Sequence, residues 1–205
     1  MTILMIQPHY QEPFSMTAPL FGDAIASGLM KVVREMELTG EDFATARGLI
    51  TTTHLDQIGF QRFSTDVAAF LDRGGRWIYH GHILRPILAE LGTYQPIPNP
   101  RRVDFVQSRL YEHPIFAGID QKMLETNHGV AGFYGRGHNP PPEGAVVINA
   151  LGPAKTPVDW VWARPQGGEI LSHAGNEFWG CGDDPEIKKQ LASRAVAWLA
   201  GELNR

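Results

Sequence analysis

This chain lacks the features that mark several large classes of protein. Its 205 residues include a single cysteine, Cys181, so no disulfide can form within the chain and a reducing compartment fits. Basic residues form no run longer than a pair, as at Arg101-Arg102, and the net charge is −4, which argues against a nucleic-acid partner. The apolar run at residues 3–6 has no basic flank and is too short for a signal peptide. No stretch is long enough to span a membrane, and we expect a cytoplasmic protein.

What the chain does contain is typical of a globular α/β domain. Hydrophobic residues make up 43% and charged residues 20%, which are ordinary values. A chain of 205 residues can form one substantial core without a second domain. We therefore expect a single domain over residues 1–205. Its 22 glycines and 15 prolines indicate many loops.

Short apolar runs alternate with segments of helical periodicity. Buried strands are predicted where β-branched and apolar residues run together, at 3–7, 48–53, 76–80, 145–148, 158–162 and 169–173, with shorter ones at 103–107 and 133–134. Helices are predicted after Ser64, over 83–91 and after Asp184-Pro185, and residues 18–36 divide into a helix and an edge strand. A turn at 166–168 joins the last two strands into a hairpin.

Histidines lie at or just beyond the carboxyl ends of four predicted strands, where open parallel sheets bind their ligands. A single histidine is more often a loop or core residue than a catalyst. The shared position of these histidines at one edge of the sheet nevertheless predicts a ligand-binding or catalytic site. The candidates, with the polar residues beside them, are His9, His54, Asp56, His80, His82, His173, Asn176 and Glu177.

A loop rich in glycine and proline, residues 129–142, is predicted to cover this site, because long loops in compact domains are often functional. His128, Arg136 and His138 are its candidate ligand contacts. Its glycine spacing is a weak phosphate-binding signal, since no clear strand precedes it and no helix follows.

Several segments resemble the class I glutamine amidotransferase-like superfamily, particularly its trehalose-utilisation (ThuA-like) branch. They are 49–54, 70–78, the segment His113-Pro114-Ile115-Phe116-Ala117-Gly118-Ile119, and Pro157-Val158-Asp159-Trp160 followed by 167–171. Their order and spacing cover most of residues 48–200. The resemblance implies a three-layer α/β/α sandwich with a mostly parallel, flavodoxin-like sheet and a late β-hairpin.

The resemblance also implies a missing nucleophile. Amidotransferases of this superfamily carry a cysteine at a sharp turn between a strand and a helix, and the matching segment, Tyr79 to Ile83, has His82 in its place. Glutaminase activity is not expected, because the thioester intermediate needs sulfur. His173 matches the family's catalytic histidine, while Glu177 falls two residues later than the family's glutamate. Cys181 is a minor candidate for a reactive thiol, since a lone cysteine usually packs in the core.

The leading hypothesis is a ThuA-like enzyme acting on a small polar metabolite such as a carbohydrate derivative. His82 and His173 would be its general acid and base, because the pKa of histidine lies near the working pH. Glu177 or Asp56 would orient an imidazole or anchor a hydroxyl. The remaining candidates would contact the substrate: His9, His54, His80, His128 and Asn176.

Two other hypotheses stay open. Several imidazoles and a carboxylate could hold zinc in a metal-dependent hydrolase or isomerase, although His80-Gly81-His82 would point its two side chains apart at a sharp turn. Alternatively, the chain is a binding or interaction module that keeps the fold without catalysis. In each case the expected partner is a small molecule, and a homodimer is the default assembly for such folds.

Overall fold

The computed structural model describes residues 2–8, 18–125 and 129–203. Its strands are β1 (Thr2–Gln7), β2 (Met30–Arg34), β3 (Ala46–Thr51), β4 (Arg76–His80), β5 (Gln95–Pro96), β6 (Gln107–Arg109), β7 (Gly137–His138), β8 (Val146–Leu151), β9 (Thr156–Ala163) and β10 (Glu169–His173). The helices are α1 (Ala18–Ala26), α2 (Gly40–Thr45), α3 (Gln57–Phe60), α4 (Ser64–Asp72) and α5 (Pro185–Leu199). Short 3₁₀ turns lie at 35–37, 61–63, 102–105, 121–125 and 178–180.

One eight-stranded sheet has the order β2-β1-β3-β4-β10-β9-β8-β6. The strands from β2 to β10 in this order run parallel, whereas β9, β8 and β6 continue the sheet antiparallel. The β9–β10 hairpin is the late hairpin that the sequence predicted. Strands β5 and β7 form a separate two-stranded sheet. The predicted α/β class with a mostly parallel, flavodoxin-like sheet is confirmed.

Apolar side chains are buried on both faces of the sheet, as a covered parallel sheet requires. Successive residues of β1 point to opposite faces, so Ile3 and Met5 join one buried cluster while Leu4 and Ile6 join another. The first cluster includes the apolar side of α5, and the second includes that of α4. Contacts of α1 with α5 and of α2 with α4 complete the two outer layers.

The predictions for the parallel half agree closely with the structure. Strands at 76–80 and 169–173 have the expected bounds, and residues 18–36 divide into α1 and β2. Helix α5 starts as predicted, because the Asp184 carboxylate accepts from the N–H groups of Glu186 and Ile187. Ser64 is the first residue of α4 rather than its cap. No described helix has the length and apolar character needed to cross a membrane.

The helix predicted over 83–91 is wrong: this segment is a series of bends and turns. Pro86 disfavours helical backbone at the residue before it. The N–H groups that would begin the helix are instead bonded to side chains, with Ile83 donating to Asn139 at 2.9 Å and both Leu84 and Arg85 donating to Gln57 at 2.8 and 2.9 Å. Hydrogen bonds to side chains distant in sequence thus take the place of the hydrogen bonds that a helix would form.

Two short predicted strands are also misplaced. Residues 102–105 form a 3₁₀ turn, and the strand beside β8 begins only at Gln107. Residues 133–134 are not a strand, and the short pairing in this loop lies at Gly137 and His138. The apolar residues of both segments suggested strands. Tyr134 shows why this fails, because its side chain is buried although its backbone belongs to a loop.

Candidate functional site

The parallel sheet brings the predicted histidines to one edge. Strands β4 and β10 are neighbours with His80 and His173 in register, so both residues end their strands at the same level. His54 follows β3, and His82 follows β4. The structure therefore brings His54, His80, His82 and His173 to one edge, as expected from the shared carboxyl ends. His9 and His128 lie outside the described residues, and their assignments stay predictions.

A buried polar network surrounds His173. Its Nδ1 is hydrogen-bonded to Asp159 Oδ1, and the other carboxylate oxygen accepts from Tyr134 Oη and Asn149 Nδ2, each at 2.6 Å. The exposed fractions of His173, Asp159 and Asn149 are 0% and that of Tyr134 is 2%. A carboxylate can only accept here, so the His173 Nδ1–H donates to it. Among the described residues, Nε2 has no hydrogen-bond partner.

His80 and Glu177 extend this network toward β3. The Nδ1 of His80 lies 3.1 Å from the carbonyl oxygen of Thr51, and its ring packs 4.6 Å from that of Trp179. Burial lowers the pKa of His80 to about 4, so its imidazole is neutral at pH 7. Burial alone would raise the pKa of Glu177, but His80 and the N–H of Thr53, which donates at 2.8 Å, hold it below its usual range. We call the six side chains of His80, Tyr134, Asn149, Asp159, His173 and Glu177 the buried layer.

An open cleft of about 630 Å³ lies beside the buried layer. We call it the edge cleft. Its described lining consists of Thr53, His54, Leu55, Gln57, His82, Leu84, Val130, Gly132, Phe133, Gly135, Arg136, Ala174, Gly175 and Asn176. Of the predicted site residues, His54, His82 and Asn176 thus reach the edge cleft, whereas the buried layer does not line it.

His82 has an imidazole that is held by an aromatic stack at the edge cleft. Its ring stacks on Tyr94 with centroids 3.6 Å apart and planes 13° apart. Its carbonyl oxygen accepts from Gln57 Nε2 at 2.7 Å and from Tyr79 Oη at 3.1 Å. Burial, and then the nearby His173, lower the pKa of His82. The neutral imidazole therefore predominates at neutral pH.

The turn after β4 has a different construction from a nucleophile turn. Its residue with positive φ is Gly81, at +98°, and His82 lies one position further on. The turn is fixed by Asn139, which donates to the Gly81 carbonyl at 2.9 Å and to Ser172 Oγ at 3.0 Å. No helix begins after the turn, and its first N–H groups are already bonded to side chains. The N–H groups of Ile83, Leu84 and Arg85 are therefore not available as donors for an oxyanion.

Two other predicted candidates, Asp56 and Cys181, have structural roles. The Asp56 carboxylate accepts from the N–H groups of Ile58 and Gly59, both at 3.1 Å, and caps α3. It lines a separate cleft with Glu35 and Phe60. Cys181 is fully buried, and burial raises its pKa, which makes the thiol a poor nucleophile.

Within residues 2–8, 18–125 and 129–203, no three His, Cys, Asp or Glu side chains are placed to hold a metal ion. His80 is buried while His82 is exposed, so the two ends of the His-Gly-His segment face different surroundings. The described residues therefore do not fit the zinc site considered above.

Four residues of this region, Asp159, Tyr134, Asn149 and Asn139, were not predicted as site residues. Asp159 carries a signal that could have been used, since it is a carboxylate inside the apolar run 158–162. A charged residue on a central strand is costly unless partners surround it. The other three lie in loops or on β8, and only the tertiary fold shows what they contact.

No family model and no curated protein matches this chain. Solved structures share its fold. The cytoplasmic protein STM3548 of Salmonella typhimurium matches with a TM-score of 0.58 and 11% identity over 97% of this chain and 98% of the other. The cytoplasmic protein STM1381 from Salmonella typhimurium LT2 matches with a TM-score of 0.52 and 13% identity over 100% of both chains.

A GMP synthase-like protein of Thermoplasma acidophilum matches with a TM-score of 0.58 and 8% identity, over 98% of this chain and 96% of that one. At such identities the likeness establishes the fold alone. That fold is the α/β architecture with a mostly parallel sheet that the sequence predicted.

Proposed function

We propose that this protein is a ThuA-like enzyme that binds a small polar metabolite, such as a carbohydrate derivative, in the edge cleft. Because one fold hosts many activities, the proposal depends on the site. The observation that carries it is the position of His82, whose neutral imidazole is held against Tyr94 and lines the cleft.

His82 is suited to proton transfer. A base must be unprotonated at the working pH and within reach of its substrate. The lowered pKa of His82 meets the first condition, and its exposure in the edge cleft meets the second. Stacking on Tyr94 limits the rotation of the ring, which favours one orientation. We assign His82 the proton abstraction in an isomerisation or hydrolysis.

His173 is assigned a different role from the acid–base role that the sequence predicted. Its side chain is fully buried, and the backbone at residues 174–176 separates it from the edge cleft. A Cβ on Gly175 would lie 2.8 Å from His173 Nε2, so this backbone packs directly over the ring. We propose that His173, Asp159 and Glu177 position the wall of the cleft and that His173 lowers the pKa of His82.

The second candidate is a binding module without catalysis. The construction of the turn favours it, because Gly81 offers no nucleophile and the N–H groups of Ile83, Leu84 and Arg85 are bonded to side chains. A binding module would retain the edge cleft and would not depend on the basicity of His82.

Substrate depletion distinguishes the two. Wild-type protein and a His82→Ala variant would be incubated with a mixture of polar metabolites, and each compound followed by mass spectrometry. The enzyme hypothesis expects one compound to disappear with the wild type and persist with His82→Ala. A His138→Gln variant is the control, because His138 pairs with Gln95 in the small sheet and does not line the cleft.

Equal depletion by wild type and His82→Ala would refute the role of His82. A compound that raises the melting temperature and is never consumed would favour the binding module.

A further inference from the structure

We infer that the ligand of the edge cleft carries a negative charge, as a carboxylate or phosphate group, and that Arg136 binds this group. The inference takes the ligand's location from the proposed function and adds its chemical class.

The described lining of the edge cleft is free of carboxylates although the chain is acidic overall. The whole sequence has 22 Asp and Glu against 18 Lys and Arg. The cleft instead presents one guanidinium, two imidazoles, two amides and a hydroxyl, from Arg136, His54, His82, Gln57, Asn176 and Thr53. Such a lining favours an anion over a cation, because it provides hydrogen-bond donors and positive charge together.

Arg136 is held in place by its own loop, and no described residue neutralises it. Its Nη2 donates to the carbonyl oxygen of Ala131 at 2.9 Å. Among the described residues it forms no ion pair, whereas Arg76 is paired with Glu169 at 3.1 Å and Arg164 with Asp72 at 2.9 Å. A guanidinium with unpaired N–H groups binds carboxylates and phosphates in a fork geometry.

The charge of Arg136 acts on the same side of the cleft as His82. A Cβ on Gly137, the residue after Arg136, would lie 2.5 Å from the Tyr94 hydroxyl oxygen, so the backbone that carries Arg136 lies beside this hydroxyl. The positive charge of Arg136 accordingly opposes the burial that raises the pKa of Tyr94. Tyr94 in turn stacks on His82 at 3.6 Å. A ligand with its anion at Arg136 would therefore extend its uncharged part along Tyr94 toward His82.

Glu177 is the carboxylate that would oppose such a ligand. It lies behind the cleft wall, where Thr53 N–H donates to it. Its charge disfavours an anion near Thr53 and favours one at the Arg136 side. The electrostatics therefore orient the ligand as well as attract it.

Calorimetric titration at low ionic strength tests the inference with three probes: D-gluconate, inorganic phosphate and the neutral methyl α-D-glucoside. We expect at least one anion to bind more tightly than the neutral glycoside. Arg136→Gln should weaken that binding about tenfold, as expected for one charge-assisted hydrogen bond. Arg102→Gln is the matched control, because it removes the same charge from an exposed arginine that lines the neighbouring cleft and not the edge cleft. Its affinity should equal that of the wild type.

The two anions identify the source of the charge: tighter binding of gluconate indicates a carboxylate ligand, and tighter binding of phosphate indicates a phosphorylated one. The inference is overturned if neither anion binds, if the glycoside binds as tightly, or if Arg136→Gln and Arg102→Gln behave alike. Binding is measured without turnover, so a failure of His82 as catalyst would leave this result unaffected.

Discussion

Two sets of histidines lie at the same sheet edge in opposite environments. His80 and His173 end adjacent strands and are buried, with exposed fractions of 1% and 0%. His82 and His54 each follow a strand by a few residues and line the edge cleft. Position along the chain brings all four to one edge, but burial decides which of them a ligand can reach. The same residue type is therefore buried on one side of the wall and accessible to a ligand on the other.

The largest difference between the two sets should appear in turnover. His82→Ala should lower kcat about 100- to 10,000-fold, the usual contribution of a general base. Its unfolding free energy should change little, because the side chain is exposed. Steady-state kinetics on the identified substrate and urea unfolding measure the two quantities. A large loss of stability with no specific loss of kcat would place His82 with the buried set.

The buried layer should show the reverse pattern. Asp159→Ala removes the acceptor that His173, Tyr134 and Asn149 share, and it leaves the buried His173 Nδ1 without its partner. We expect a loss of about 3–5 kcal/mol in unfolding free energy, measured by urea denaturation.

Glu37→Ala is the control for Asp159→Ala, because it removes a carboxylate that is 53% exposed in an ion pair with Arg34. Exposed pairs of this kind contribute about 0–1 kcal/mol. Similar losses in the two variants would mean that the network around Asp159 does not stabilise the fold.

Acid should destabilise the protein through His80. Its pKa is lowered to about 4 in the folded state, against roughly 6.5 in an unfolded chain. Between these values the unfolded state binds more protons, so the unfolding free energy falls as the pH falls, by about 3 kcal/mol in total. His80→Gln should flatten this part of the stability profile. An unchanged pH dependence in that variant would show that His80 is not buried in its neutral form.

The smallest effect concerns the stacking that holds His82. Tyr94→Leu keeps an apolar side chain but removes the aromatic partner 3.6 Å away. Aromatic pairs contribute about 0.5–1.5 kcal/mol beyond area burial, so we expect kcat to fall by about tenfold or less. Tyr94→Phe should retain the stacking and remain close to wild type. A Phe variant as impaired as the Leu variant would assign the effect to the hydroxyl.

The parallel half of the fold could be predicted because its signals are local. Apolar runs such as 76–80 and 169–173 define strands, and Asp184-Pro185 defines the start of α5. The segment 83–91 could not be predicted in this way. Its conformation depends on Gln57 and Asn139, which lie 25 or more residues away in sequence and bond its backbone.

The candidate site likewise has one feature that the sequence could predict and one that depends on tertiary contacts. Histidines at strand ends indicated the correct edge, because parallel topology alone brings strand ends together. Their separation into buried and exposed sets depends on Phe178 and Trp179, whose rings pack against His80 at 5.0 and 4.6 Å. Nothing in the histidine pattern indicates which rings will be covered.

The most direct test of this division is an NMR titration of the imidazole nitrogens, with His80 and His82 assigned through their glutamine variants. The division predicts that His80 stays neutral until the pH approaches about 4. It also predicts that His82 titrates below the ordinary histidine value while remaining in contact with solvent. A His80 that titrates near about 6.5, like an exposed imidazole, would contradict the separation into a buried layer and an open cleft.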